Sequence, residues 1–401
     1  MVIYDFDKVI DRRNTDCLKY DFAVQRGRPK DVLPFWVADM DFSIAEEITD
    51  ALIKRCQHGI FGYSEATEGY FAALQKWYSK HFQWQLQREW LLKTPGVVFA
   101  LAMAVKAFTE PGEGVLVQQP VYYPFTEVIR DNGREVVNSP LVLINGHYEI
   151  DFADLEHKLA DPKVKLMFLC SPHNPVGRVW TEAELRRVGD LCLKYKVITV
   201  SDEIHSDFVW DDNVHTNFAT LGKAYEQNCI VCTAPSKTFN LAGLQTSNIF
   251  VPNQTLRRRL RKQIDAAGYS QLNTLGLVAC QAAYTYGEDW LNQVKAYIRA
   301  NIAFVKQYIE QNLPQIKMLP IEGTYLVWLD CSALGMSADE REQWLWHEAK
   351  LWLDGGGIFG VEGEPFERIN VACPRGTLVQ GLEQLQGAVA KLSGLNINCG
   401  A

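Results

Sequence analysis

The sequence predicts an α/β protein with a large, mostly parallel sheet held between helices, and a smaller α+β unit built from both chain ends. Three observations predict it. From Lys93 onward strand-like runs alternate with helical segments, the pattern of a parallel sheet with helical crossovers. Those runs are almost continuously apolar, as strands buried on both faces are. Beyond about residue 290 the pattern changes to one long amphipathic helix followed by short strands. The expected division is an N-terminal arm over 1–45, a large domain over 46–289 and a C-terminal unit over 290–401.

In chain order, residues 1–45 hold few helix signals and many aromatics. The run Leu33-Pro34-Phe35-Trp36-Val37-Ala38-Asp39-Met40-Asp41-Phe42 reads as an apolar loop that something else must cover. Ser43, with Glu46 three positions on, predicts a capped helix to about Arg55. A glycine-rich aromatic turn, Gly59-Ile60-Phe61-Gly62-Tyr63-Ser64, leads to a second helix through Lys76-Trp77-Tyr78. Gly96-Val97-Val98 precedes an alanine-rich helix over 99–108. Gly112-Glu113-Gly114 stands before a strand rather than between strand and helix, so it is no dinucleotide fingerprint.

The predicted strands are 115–119, 135–137, 164–169, 197–200 and 229–232, with helices over 152–159 and 181–195. A helix over 290–312 leads to strands 317–319 and 325–329, a helix over 338–352, a Gly355-Gly356-Gly357 turn and a strand near 368–371.

Composition excludes several function classes. The 401 residues are 47% hydrophobic and 22% charged, ordinary for a globular chain with room for a buried cofactor. A formal net charge of -8 argues against nucleic-acid or anionic-membrane partners. The basic run Arg257-Arg258-Arg259-Leu260-Arg261-Lys262 reads as the solvated face of a helix, with a phosphate contact as the lesser alternative. Ten cysteines fall mostly in apolar segments, the usage of a reducing compartment. Cys229 and Cys232, three apart on a strand, point to opposite faces and suit neither a metal pair nor a redox pair. His and Cys are scattered without metal-ligand spacing, so no metal site is expected. No signal peptide and no membrane span are visible, and a cytoplasmic protein is expected.

The chemistry-bearing residues cluster where the predicted strands end. After 164–169 comes Ser171-Pro172-His173-Asn174-Pro175, after 197–200 comes Ser201-Asp202-Glu203-Ile204-His205, and after 229–233 comes Pro235-Ser236-Lys237-Thr238. Ligands of parallel α/β sheets bind at the carboxyl ends of the strands. A lone lysine there, without charged neighbours, can lose its proton and form a Schiff base, although a surface lysine after a strand is the competing reading.

These runs resemble the pyridoxal-phosphate enzymes of the aspartate aminotransferase fold, and more narrowly the cystathionine β-lyase (C–S lyase) branch. The resemblance covers nearly the whole chain. It is carried by Trp36-Val37-Ala38-Asp39-Met40-Asp41-Phe42, Ser171-Pro172-His173-Asn174-Pro175-Val176-Gly177-Arg178 and Ser201-Asp202-Glu203-Ile204-His205-Ser206-Asp207. Ser236-Lys237-Thr238-Phe239-Asn240 and Arg368-Ile369-Asn370-Val371-Ala372-Cys373-Pro374-Arg375 follow in order.

The resemblance implies that Lys237 holds pyridoxal 5′-phosphate and acts as the base at the substrate Cα, while Asp202 keeps the pyridine nitrogen protonated. Asn174 would donate to the ring's phenolic oxygen and Tyr122 would stack on the ring. Val97, Val98 and Ser236 would hold the phosphate at a helix N-terminus. Tyr63 would reach the phosphate of a neighbouring subunit, which implies a homodimer with shared sites. Arg368 would clamp the substrate α-carboxylate, with Ala38 and Asn174 beside the substrate; Arg375 could do so too, or form a structural ion pair. Two departures from the aminotransferase pattern, His205 for a tyrosine and Gln245 for a phosphate-binding arginine, agree with the lyase branch.

The expected activity is β-elimination of a thiol from L-cystathionine or a related cysteine conjugate. An aminotransferase and a cofactor-binding regulator acting by protein contact are the alternatives.

Overall fold

The structure, a computed structural model, describes residues 2–392 and 394. Met1 of the expected N-terminal arm, and Cys399, one of the ten cysteines, lie outside the described residues. The largest sheet has seven strands: β1 Leu91–Thr94, β2 Gly114–Val117, β3 Glu135–Asn138, β4 Val164–Cys170, β5 Ile198–Asp202, β6 Cys229–Thr233 and β7 Ser247–Phe250. Their spatial order is β1-β7-β6-β5-β4-β2-β3. The strands β3, β2, β4, β5 and β6 run parallel, and β7 is antiparallel to both its neighbours. This is the mostly parallel sheet that the sequence predicts.

The continuous apolar runs follow from burial on both faces. Leu166 and Phe168 of β4 pack with helix Val97–Phe108 on one face. Met167 and Leu169 pack on the other, with Leu185, Val188 and Cys192 of helix Glu182–Tyr195. Cys229 and Cys232 likewise fall in opposite layers, as the period of two requires.

The chain order reverses between β2 and β4, the crevice where ligands of such sheets bind. Register aligns the strand ends there: Cys170 lies opposite Asp202, and Asp202 opposite Cys232. Asp202 at the end of β5 and the segments carrying Asn174 and Lys237 therefore lie along one edge.

A second, antiparallel sheet comprises β8 Lys317–Met318, β9 Leu326–Asp330, β10 Asp354–Gly355 and β11 Phe366–Asn370, in the order β8-β9-β11-β10. Helices Glu288–Asn312, Ala338–His347 and Arg375–Leu392 accompany it. Near the other end of the chain, Leu33–Pro34 pairs in parallel with Leu351–Trp352.

Local details differ from the sequence reading. The first long helix spans Glu46–His58 with Ala45 at its N-cap; Ser43 makes no capping box, and its carbonyl accepts from Trp290 Nε1 at 3.0 Å. The helix expected over 338–352 stops at His347, because Lys350 turns into the left-handed region (φ 53°) and Leu351–Trp352 becomes a strand. Its start carries a true capping box, Ser337 with Glu340. Lys237 stands in a single helical turn, Pro235–Thr238, rather than a loop. The basic run belongs to helix Gln254–Ala266, where only Leu260 and Ile264 are buried. The apolar loop after residue 33 is covered as expected, with Phe35, Met40 and Phe42 buried.

Candidate active site

A cavity of about 310 Å³ opens at the carboxyl edge of the large sheet. Lys237, Asp202, Asn174, Tyr122, His205, Val97, Val98, Ser236, Ala38 and Arg368 all line it. Those ten expected site residues come from seven separate stretches of chain.

Lys237 Nζ donates to the Ala38 carbonyl at 2.7 Å. Burial lowers its pKa to about 8, partly opposed by the Asp39 carboxylate and assisted by Arg368. The turn that carries it is anchored next door, where Thr238 Oγ1 donates to the buried Asp207 at 2.7 Å. Asn240 fastens the facing loop: it accepts from Met40 N at 3.0 Å and donates to the Met40 carbonyl at 2.9 Å.

Asp202 ends β5. Burial pushes its pKa up to about 7, against a bond from Ile204 N at 3.1 Å and the charge of Lys237. The adjacent Glu203 points away from the cavity and accepts from Ser201, His215, Asn217 and Phe218 N at 2.7–3.0 Å. Two neighbouring carboxylates thus have different fates: one saturated, one aimed into the cavity. His205 is buried with Nδ1 unpartnered, and burial holds its pKa well below the usual histidine range.

At the switch point Tyr122 N donates to the Asn174 carbonyl at 3.0 Å. Asn174 Oδ1 accepts from Arg368 Nη1 at 2.9 Å. Arg368 Nη2 also meets the Trp36 carbonyl at 2.8 Å and the carboxylate of Asp354, while Nε has no partner among the described residues. Opposite these groups the helix Val97–Phe108 presents its N-terminus, preceded by Gly96.

Tyr63 does not reach this cavity. It is 99% exposed and lines a separate cleft with Phe61, Tyr269 and Asn273. Arg375 is also elsewhere, its Nε on Asn301 Oδ1 at 2.8 Å and its guanidinium over Phe304, a structural role.

Sequence reasoning missed Asp354 and Tyr123, which line the cavity too. It also missed what holds the Asp39–Asp41 loop. Arg12 bonds both carboxylates at 2.6 Å, the buried Lys19 reaches Asp41 at 2.8 Å, and Asn370 Nδ2 donates to the Val37 and Asp39 carbonyls at 2.6 Å. The paired acids in an apolar run were the signal that cations must come from elsewhere in the chain. Among the described residues no group of His, Cys, Asp and Glu is placed to hold a metal ion. No helix among them is long and apolar enough to cross a membrane.

Residues 30–385 match the aminotransferase class I and II family. The chain belongs to that family. It is 42% identical over 386 residues to cystathionine beta-lyase PatB of Bacillus subtilis, covering 96% of this chain and 100% of that one. Protein MalY of Escherichia coli is 32% identical, with 96% and 99% covered. Among solved structures, cystalysin of Treponema denticola, which contains pyridoxal 5′-phosphate, superposes with a TM-score of 0.95 at 40% identity, covering 98% of this chain and 100% of that one. A pyridoxal-phosphate-bound C–S lyase of Staphylococcus hominis gives 0.90 at 32% identity, covering 96% and 98%.

Proposed function

We propose that this chain is a pyridoxal-phosphate-dependent carbon–sulfur lyase that eliminates the thiol of L-cystathionine or a related cysteine conjugate, leaving pyruvate and ammonia. The observation that carries it is the convergence of Lys237, Asp202, Asn174, Tyr122 and Arg368 on one cavity, in a chain 42% identical to a cystathionine beta-lyase.

The residues present fit the cofactor. Asp202 is a buried carboxyl with no cation bonded to it among the described residues, as a pyridinium partner would be. A Cβ added at Gly96 would meet nothing within 4 Å, so the helix N-terminus beside it faces open space that a phosphate could fill. Lys237 is half-buried and inclined to its neutral, nucleophilic form.

When bound, pyridoxal 5′-phosphate supplies an electron-accepting ring joined to the substrate nitrogen. Lys237 would hold the cofactor through its amine and, as a free amine, would take the proton from the substrate Cα. Asp202 would keep the ring nitrogen protonated, and Tyr122 would stack on the ring. Val97, Val98 and Ser236 bind the phosphate. Arg368 fixes the α-carboxylate through its unpartnered Nε, with Asn174 and Ala38 alongside, and so orients the Cα proton toward Lys237. His205, uncharged in its buried position, would contribute to the cofactor's surroundings. Loss of the Cα proton expels the thiolate from Cβ, and water completes the conversion of the remaining carbon skeleton to pyruvate and ammonia.

We further propose a cytoplasmic homodimer in which Tyr63 serves the partner's cavity, and a division into 1–45, 46–289 and 290–401. The exposure of Ile60, Phe61 and Tyr63 on one short segment supports the dimer.

Incubation with L-cystathionine, without any keto acid, is expected to release pyruvate and homocysteine in equal amounts. Turnover only after a keto acid is added would make the protein an aminotransferase instead.

A further inference from the structure

Two carboxyl groups, one amine and one guanidinium line the cavity: Asp202, Asp354, Lys237 and Arg368. The reaction uses all of these but Asp354. Asp354 has no assigned part, yet its position is built rather than incidental. The register of β10 on β11 sets Asp354 directly opposite Arg368, which puts both side chains on one face of the sheet. Asp354 is buried and its carboxylate pairs with Arg368 Nη2. Tyr122 and Tyr123 both lie within its field.

Charge can be followed around the cavity in the loaded enzyme. Lys237 is taken up by the cofactor, Asp202 is matched by the ring nitrogen, and Arg368 is matched by the substrate α-carboxylate. Of these four side chains, Asp354 is then the acid to which no group of the cofactor or of the substrate's amino-acid half is assigned, and it shares Arg368 with the α-carboxylate. Arg28 does not cancel it from within the cavity, because its guanidinium lies over Trp346 at 3.7 Å from the ring centroid. Glu342, the other acid that acts on Asp354, adds charge of the same sign. In a cavity of about 310 Å³ any charge on the substrate's side chain falls within Coulombic reach of this carboxylate.

We propose that Asp354 is a specificity-determining residue that selects cysteine conjugates by the charge of the departing thiol, favouring an ammonium-bearing or neutral group and rejecting an anionic one. This rests on the lyase reading above. It deepens that reading by naming the substrate class: conjugates whose thiol half carries a positive or zwitterionic end. Like charges brought together in a desolvated site are a strong device for excluding wrong partners.

The test uses the cofactor-loaded protein and three cysteine conjugates of similar size, S-(2-aminoethyl)-, S-(2-hydroxyethyl)- and S-(carboxymethyl)-L-cysteine. Pyruvate release gives kcat/KM for each, and the change in cofactor absorbance on titration gives an apparent Kd that needs no turnover. Wild-type protein is expected to prefer the aminoethyl over the carboxymethyl conjugate by at least about tenfold. Asp354→Asn is expected to shrink that ratio at least about tenfold, and Asp354→Ser to do the same.

If Asp354 only holds Arg368 in place, both variants weaken all three conjugates by a common factor and the ratio stays; that result overturns the proposal. Should either variant fail to fold, a wild-type protein without the charge preference overturns it equally. Absence of pyruvate from every conjugate would sink the lyase reading instead, while the titration ratio would still decide the role of Asp354.

Discussion

Burial drives both Lys237 and Asp202 toward their neutral forms, the amine down to about 8 and the carboxyl up to about 7. Each departure disfavours the charge that the isolated group would carry, and each suits a site completed by a ligand. For Asp202 the sign of the pH effect is definite. Its folded pKa lies above the unfolded value of about 3.9, so the folded chain keeps a proton that the unfolded chain has lost. The stability of the cofactor-free protein therefore falls as pH rises from about 4 through about 7. Asp202→Asn removes this liability. The cofactor-free variant is expected to melt above cofactor-free wild type at about pH 8, with the gap shrinking as pH falls below about 7. A gap that widens toward acid, measured by thermal melts across pH, would refute the assignment. With cofactor present the order of activity reverses: the variant is expected to lose at least about a hundredfold in kcat, because a neutral amide cannot hold the ring nitrogen protonated.

The helix Val97–Phe108 shows how an element is bent to the site's needs. Gly96, its N-cap, sits in extended backbone (φ 174°) that any residue can adopt, and an added Cβ would meet nothing within 4 Å among the described residues. Gly96→Ala is thus expected to leave the cofactor-free melting temperature unchanged while weakening cofactor binding at least about tenfold, since the methyl occupies the phosphate's place. A loss of stability with unaltered cofactor affinity would contradict this use of the helix end.

Elements of this kind were legible in the sequence because their signals are local. The apolar runs of β4, β5 and β6, the alanine-rich helix after Gly96 and the polar clusters at the strand ends each announce themselves within ten residues or so. What escaped was set by distance. Strand β10 is two residues long, and only its register on β11, fourteen residues on, reveals Asp354 as a cavity residue. The helix expected to run to 352 was extended by the apolar Leu351 and Trp352, which instead pair with Leu33–Pro34 and stack Trp352 on Trp36 at 4.4 Å. Arg12 and Lys19, which neutralise Asp39 and Asp41, lie some twenty to thirty residues away with no periodicity to link them.

At the scale of the whole molecule the cavity is assembled from distant parts of one chain, and Tyr63 stands outside it. Its segment carries Ile60 at 66% and Phe61 at 56% exposure, a surface that a second copy would cover. If Tyr63 serves the partner's cavity, Tyr63→Phe and Lys237→Ala fail in different sites. Mixed and re-paired subunits would then contain one intact site per hybrid. Activity is expected to reappear on exchange of the two variants, and its absence, with hybrids demonstrated by mass, would rule out a composite site.

Everything above turns on one amine in one cavity. Reduction of the cofactor-loaded protein with borohydride fixes the cofactor to whichever lysine holds it, and peptide mass spectrometry then names that residue. A pyridoxyl-phosphate adduct confined to Lys237 is the expected result. An adduct on another lysine, or a loaded protein that gives no adduct, would contradict the site from which the whole reading is built.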